Sequence, residues 1–302
     1  SIIQLLPLND VGFDFRPYDA QSSMALDPMY LSIEELADCD LKAFVEDLKK
    51  LREQFPAGKG RVDYGIKKAK LELLARVFAG SASFQKGKKF LSFLKASKSW
   101  LEDYALFKTL KEKFQMSGWM DWPEELKTKQ PGAIAAFLKE NKERVLFYKW
   151  LQWQLFEQFR DVKKYAAKCG VLLMGDMPFL VSRDSADVWA HQEYFKLDLS
   201  SGAPPDLYFA QGQRWGMPPY HWETIAADGF DYLRQKMKCA EALFDLYRID
   251  HFVGMFRLWT ISLSEPLEHA GMQGRFDPSD ENLWKDHGQK ILEVMLTSAK
   301  ML

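Results

Sequence analysis

Two residues in the stretch Leu246-Tyr247-Arg248-Ile249-Asp250-His251 have the types and spacing for chemistry: Arg248 and Asp250. Residues two apart on a strand face the same side, so a guanidinium and a carboxylate meet there. A cation that close holds the carboxylate ionised, as a nucleophile requires. The same pair serves equally well as a structural ion pair. Asp176 is a second carboxylate in a comparable position, or a cap for the turn that follows it. Asp184-Ser185-Ala186-Asp187-Val188-Trp189 reads as a helix start, with Asp184 or Ser185 as N-cap. The stretch Gly212-Gln213-Arg214-Trp215-Gly216-Met217-Pro218-Pro219-Tyr220-His221-Trp222 sets aromatics in a Gly/Pro frame. Such a loop points to ligand contact, or to a self-packed loop that buries Trp215 and Trp222.

These residues need elements to place them. Residues 1–8 read as a short buried strand and Asn9 to Pro28 as loop. From about Ser32 the pattern turns helical. Leu41, Phe44, Val45, Leu48, Leu51 and Phe55 recur at three-to-four spacing up to the stop at Pro56-Ala57-Gly58. Helical patterning continues through Leu126, which makes residues 32–135 a helical insertion. A long helix from Pro131 or Asn141 to Lys168 carries the stripe Tyr148, Leu151, Leu155, Phe159, Val162 and Ala166, and Gly170 closes it. Val171-Leu172-Leu173-Met174 follows, apolar throughout, as a parallel strand buried on both faces is. The pattern repeats: a helix with Phe230, Leu233, Met237, Ala240 and Phe244 on one face, a short strand at Leu246 to Ile249, then Asp250. Helix, buried strand and carboxylate at the strand's C-terminal end is the layout of a (β/α) barrel, an α/β fold whose active site lies on that face.

Composition narrows the classes. The 302 residues are 47% hydrophobic with a formal net charge of −1, so no global field draws the chain to nucleic acid or to an anionic membrane. No apolar run has the length of a membrane span. Cys39, Cys169 and Cys239 are dispersed without CxxC spacing, which fits a reduced cytoplasmic setting. The five His have no metal-ligand spacing and no Gly-rich phosphate loop precedes a helix, so neither metal nor cofactor is expected. Ten Trp, within 14% aromatic content, suit sugar-binding surfaces as well as cores.

The motifs taken in order resemble the 4-α-glucanotransferases (amylomaltases; glycoside hydrolase family 77, α-amylase clan). They are Gln4-Leu5-Leu6-Pro7-Leu8, Pro17-Tyr18, Trp100 to Phe107, Gly175-Asp176-Met177-Pro178, Asp184 to Trp189, Pro205-Asp206, Gly212 to Gly216, and Arg248-Ile249-Asp250-His251-Phe252. The resemblance implies a partial (β/α)8 barrel, about strands two to four, with the helical insertion. Its parts are residues 1–31 (strand and donor-side loop), 32–135 (insertion) and 136–302 (βα units with an active-site loop at 200–222). It implies Asp250 as nucleophile, Arg248 as the arginine that orients it, and Asp176 as the aspartate near the sugar being cleaved. It implies substrate contacts for Tyr18, Gln213, Trp215, Tyr208, Phe209 and His251, and α-1,4-glucans or maltooligosaccharides as substrates.

The sequence also departs from that pattern. Met217 stands where the family often has Asn, Val253 precedes Gly254 where Arg is common, and Phe13-Asp14-Phe15-Arg16-Pro17-Tyr18 replaces Gly-Asp-Ser-Pro-Tyr. These bear on acceptor preference. No Glu-Asp-Leu-Gly, the family's acid/base motif, occurs; its place falls after Lys300-Met301-Leu302, and the first barrel strand falls before Ser1. The expectation is therefore a chain that lacks the rest of the barrel and is inactive alone. Two other functions compete: an α-amylase-clan hydrolase or branching enzyme, and a non-catalytic glucan-binding fragment. Against the first, Asp176 is followed by Met177-Pro178-Phe179 instead of the clan's usual Asn-His.

Overall fold

The computed structural model of the chain describes residues 1–81 and 83–298; the sequence's last four residues, where the expected acid/base strand would begin, lie outside them. It divides into two compact units. One comprises Ala25–Ser117 and Asp121–Tyr165; the other comprises Ser1–Met24, Gly118–Met120 and the chain from Ala166 onward. Most of the long helix belongs with the helical unit, because its Trp and Phe residues form that unit's core.

The helical unit is built from Val45–Gln54 (α1), Gly65–Ala79 (α2), Lys88–Ala96 (α3), Lys98–Lys113 (α4), Glu124–Lys127 (α5), Pro131–Glu140 (α6) and most of Lys142–Lys168 (α7). The reading of one helix from Pro131 or Asn141 resolves into two, since α6 ends at Glu140 with Asn141 as its C-cap and α7 starts at Lys142. Trp150 and Trp153 of α7 are fully buried against Phe84, and Trp153 also meets Phe90 edge-on. Three glutamines of α7 each match the N–H and C=O of one residue in the extended segment before α1. Gln152 pairs with Leu26, Gln154 with Ala37 and Gln158 with Ser32. A side-chain amide carries one acceptor and a donor, so each pairing satisfies a backbone residue as a strand partner would. Beneath them Lys67 and Asp27 form a buried ion pair at 2.7 Å.

The second unit holds the strands Ile2–Gln4 (β1), Leu172–Met177 (β2), Leu199–Ala203 (β3), Gln213–Arg214 (β4), Leu246–Ile249 (β5), Leu258–Ser262 (β6) and Gly274–Asp277 (β7). Its helices are Ala186–Ala190 (α8), Trp222–Ala227 (α9), Asp231–Leu243 (α10) and Glu281–Ser298 (α11). The strands β1, β2 and β5 form a parallel sheet in the order β1-β2-β5, each predicted from its apolar run. Gly170, at φ 65°, closes α7 as its position predicts. Gly175 is required by packing, because a Cβ there would lie 2.3 Å from the Phe244 ring.

Two expectations are corrected. The outer strands are not buried: Ile2 and Ile3 are 56% and 50% exposed, and β5 is half-exposed along its length. Each of them pairs on one edge with β2 and has no strand on the other among the described residues. Residues 200–222 are not simply loop, because they contribute to an antiparallel sheet in the order β4-β3-β6-β7. Gly202 lets β3 approach β4; a Cβ there would stand 2.0 Å from the Gln213 carbonyl oxygen. No helix among the described residues is long and apolar enough to cross a membrane.

Candidate active site

The parallel pairing of β2 with β5 sets Asp176 directly opposite Arg248. Both side chains leave the sheet on the same side, and Asp250 follows two residues on. The guanidinium then forks. Nη1 donates to Asp176 Oδ2 at 2.5 Å and Nη2 to Asp250 Oδ1 at 2.7 Å. Tyr18, on the loop after β1, adds a hydroxyl donor to the same Asp176 Oδ2 at 2.7 Å. Four residues from three chain segments thus form one hydrogen-bonded chain.

The two carboxylates differ in access. The Asp176 side chain is 1% exposed, whereas that of Asp250 is 33% exposed. Asp176 Oδ1 is buried and has no hydrogen-bond partner in the protein, a free acceptor of a kind seldom left unexplained. The charge of Asp176, and then its hydrogen bond, raise the pKa of Arg248, so the guanidinium remains a cation. Burial, reinforced by the bond to Asp176, pushes the Tyr18 hydroxyl up and keeps it a donor. The set can therefore present one accessible carboxylate beside a cation as a nucleophile, with a second carboxylate and a phenol fixed behind it.

His251 follows Asp250 in a left-handed conformation, φ 47°. Burial pulls its imidazole below the ordinary range, against the opposing charge of Asp250, which leaves the ring neutral at neutral pH. Trp215 meets His251 edge-on, with ring centroids 4.9 Å apart at 90°. Gln213, on β4, accepts from Trp215 Nε1 at 3.0 Å. Trp215 and Trp222 are half-buried, between the open and the self-packed readings of the loop.

The support under Trp215 was not legible in the sequence. Trp215 N donates to Ser201 O at 2.8 Å and Gly216 N to Ser200 Oγ at 2.9 Å, both acceptors on β3. Arg183 donates to the carbonyls of Gly216, Leu197 and Leu199. In Val181-Ser182-Arg183 it reads as an ordinary solvated arginine, and no local pattern marks it.

Asp184, Ser185 and Asp187 are used in structure. Ser185 is the N-cap of α8, accepting from Val188 N, and Asp184 accepts from Trp119 N. Tyr208 and Phe209 are not joined to the carboxylates by any hydrogen bond or ring contact among the described residues. Asp206 Oδ1 accepts from both of their amides, and the Tyr208 side chain stands in solvent at 87% exposure. A separate cleft of about 530 Å³ near Lys196, His221, Thr260 and Asp277 contains none of the candidate residues; its Lys196 and Asp277 pair at 2.6 Å. No group of three or more His, Cys, Asp or Glu placed to hold a metal occurs among the described residues.

Comparison with known proteins bears on this arrangement. A family model described as 4-alpha-glucanotransferase matches residues 1–300. The 4-alpha-glucanotransferase of Chlamydia pneumoniae is 35% identical over 100% of this chain and 56% of its own length. That of Thermus thermophilus is 36% identical over 96% of this chain and 57% of its own length. The chain thus spans about half the length of the curated relatives it matches. Among solved structures, the amylomaltase from Streptococcus agalactiae in complex with acarbose superposes with a TM-score of 0.78 at 23% identity, over 96% of this chain and 59% of that one. The amylomaltase from Corynebacterium glutamicum gives 0.76 at 22%, over 99% and 41%. At these identities the structural likeness bears on the fold, which is α/β with amylomaltase neighbours.

Proposed function

Because the chain belongs to the 4-alpha-glucanotransferase family, glycoside hydrolase 77, we propose that it carries the nucleophile side of a retaining transfer between α-1,4-glucans. The observation that supports this reading is the Arg248 fork, which holds a buried Asp176 and an open Asp250 on adjacent parallel strands. In this proposal β1, β2 and β5 are strands two to four of a (β/α)8 barrel, with residues 32–135 as its insertion, and the protein is cytoplasmic.

The roles follow from access and charge. An Asp250 carboxylate oxygen attacks the anomeric carbon of a glucose unit, forming the C–O bond as the glycosidic bond breaks. Arg248, bonded to Asp250 Oδ1, aims it. The unpartnered Asp176 Oδ1 accepts a hydroxyl of the sugar being cleaved, while Tyr18 and Arg248 hold the other oxygen. Trp215, steadied by Gln213, offers its ring to the glucan, His251 meets the acceptor, and Tyr208 and Phe209 close on the chain from the exposed turn. The glycosyl group then passes to the 4-hydroxyl of a second glucan.

Retaining chemistry needs a second carboxyl as acid/base, about 5 Å from the nucleophile. We assign that role to no residue here, since the Glu-Asp-Leu-Gly motif is absent from the sequence. Loss of such a group lowers rates by about 10²–10⁴-fold, so the chain by itself is expected not to disproportionate maltotriose. Glucose plus longer oligomers, formed by the chain and abolished in Asp250→Asn, would overturn that assignment. Net new reducing ends in the same assay would replace transfer with hydrolysis.

A further inference from the structure

Lys236 lies buried in α10, facing the turn that leaves β2. Its Nζ donates to Pro178 O at 2.7 Å and to Phe179 O at 3.3 Å. Tyr220 donates to the same Phe179 oxygen at 2.8 Å. Nearby, Asp187 accepts from Ser23 N, Ser23 Oγ and the Tyr232 hydroxyl. A buried ammonium is costly to desolvate, and burial pulls its pKa to about 8 against the opposing charge of Asp187. What the ammonium secures is the pair of carbonyls two and three residues beyond Asp176.

The Phe179 ring projects from that turn against His251, with centroids 6.1 Å apart. Gly254 closes the other side. A Cβ at that position would lie 2.6 Å from His251 Cδ2 and 2.8 Å from Phe179 Cε1, so only hydrogen fits. Trp215 meets the imidazole on a further side. The ring next to Asp250 is therefore wedged by groups on three separate segments.

We infer that Lys236, through the Phe179 ring, and Gly254, directly beside the imidazole, are positioning residues for His251 that touch no reacting group themselves. Lys236 fixes the backbone from which Phe179 projects, and Gly254 leaves the space in which Phe179 and His251 meet. Loosening the Lys236 anchor, or filling the space at Gly254, displaces the imidazole toward solvent and moves it relative to Asp250. The consequence for transfer rests on the reading of His251 as an acceptor contact, but the geometry does not.

The test reads the imidazole, so it is independent of whether the chain transfers glucan. With the ring carbons of the five His labelled, His251→Gln assigns the His251 signal in an NMR pH titration. Lys236→Met, close in shape and without charge, is expected to shift that signal and raise its midpoint by a few tenths of a pH unit as the ring gains solvent. His269, paired with Glu265, should stay in place, and Lys236→Arg should restore part of the shift. Gly254→Ala should move His251 in the same direction with Lys236 intact, which keeps the test available if the Lys236 variant does not fold. A folded Lys236→Met or Gly254→Ala protein with His251 at its original position and midpoint overturns the inference.

Discussion

Asp187 and Asp250 both belong to motifs that support the glucanotransferase resemblance, yet substitution should separate them. Asp187 is 7% exposed, and its carboxylate accepts from Ser23 N at 3.0 Å, from Ser23 Oγ, and from Tyr232 at 2.8 Å. In Asp187→Asn one oxygen becomes an NH₂. If the remaining oxygen keeps the two hydroxyls, the Ser23 N–H faces a donor and is left unsatisfied, at about 1–3 kcal/mol. The hydroxyls lose a charged acceptor for a neutral one, about 1 kcal/mol each. The total is about 3–5 kcal/mol, or roughly 6–20 °C in Tm for a cooperative unit of this size. Asp250, by contrast, is one-third exposed and bonded by its side chain to Arg248. Exposed ion pairs contribute little, so Asp250→Asn should melt within about 2 °C of the parent. Thermal unfolding followed by near-UV circular dichroism measures both. An Asp187→Asn protein melting with the parent, or an Asp250→Asn protein as unstable as Asp187→Asn, refutes the division between scaffold and site.

The pH dependence of stability has a definite sign. Burial lowers Lys236 and Lys70 to about 8, so the unfolded chain binds more protons above that pH and stability rises, by about 2 kcal/mol for each lysine between pH 8 and 10. Cys239 is pushed up to about 12, and Tyr194, Tyr220 and Tyr232 are also raised; their stabilising effect is full below the unfolded values and lost above them. Urea midpoints should therefore rise from pH 8 toward 10 and fall beyond it, and a monotonic fall from pH 8 contradicts the burial of these lysines. For the ligand, Trp215→Ala should weaken maltoheptaose binding about tenfold, or 1.4 kcal/mol, by calorimetry without lowering Tm. Unchanged affinity removes Trp215 from the glucan surface.

The parallel strands and their carboxylates were legible because the signal is local. The apolar runs at 171–174 and 246–249 follow amphipathic helices, and a period of two puts Arg248 and Asp250 on one side. The antiparallel sheet was not legible. Residues 199–203 and 213–214 are Ser- and Gly-rich or very short; the first becomes a strand by pairing with residues about sixty positions away, and the second by pairing with the first. In sequence Asp187 reads only as part of a helix start, while Asp250 has the nucleophile's place through the resemblance, but neither reading shows their surroundings. Both are aspartates in motifs, and only the fold reveals that one is enclosed by Ser23 and Tyr232 while the other stays open. Arg183 escaped notice because its partners are carbonyls, which leave no trace in residue types.

Asp250 as nucleophile is best tested with a substrate whose cleavage needs no acid/base. In α-maltotriosyl fluoride the leaving group departs without protonation. Attack by an Asp250 oxygen forms the ester as the C–F bond breaks, and without a base the glycosyl-enzyme accumulates. The account predicts a single equivalent of fluoride released per chain and a maltotriosyl mass increment on the peptide containing Asp250, both lost in Asp250→Asn. An adduct on another residue, fluoride release that survives Asp250→Asn, or no adduct from a chain that binds maltoheptaose would contradict it.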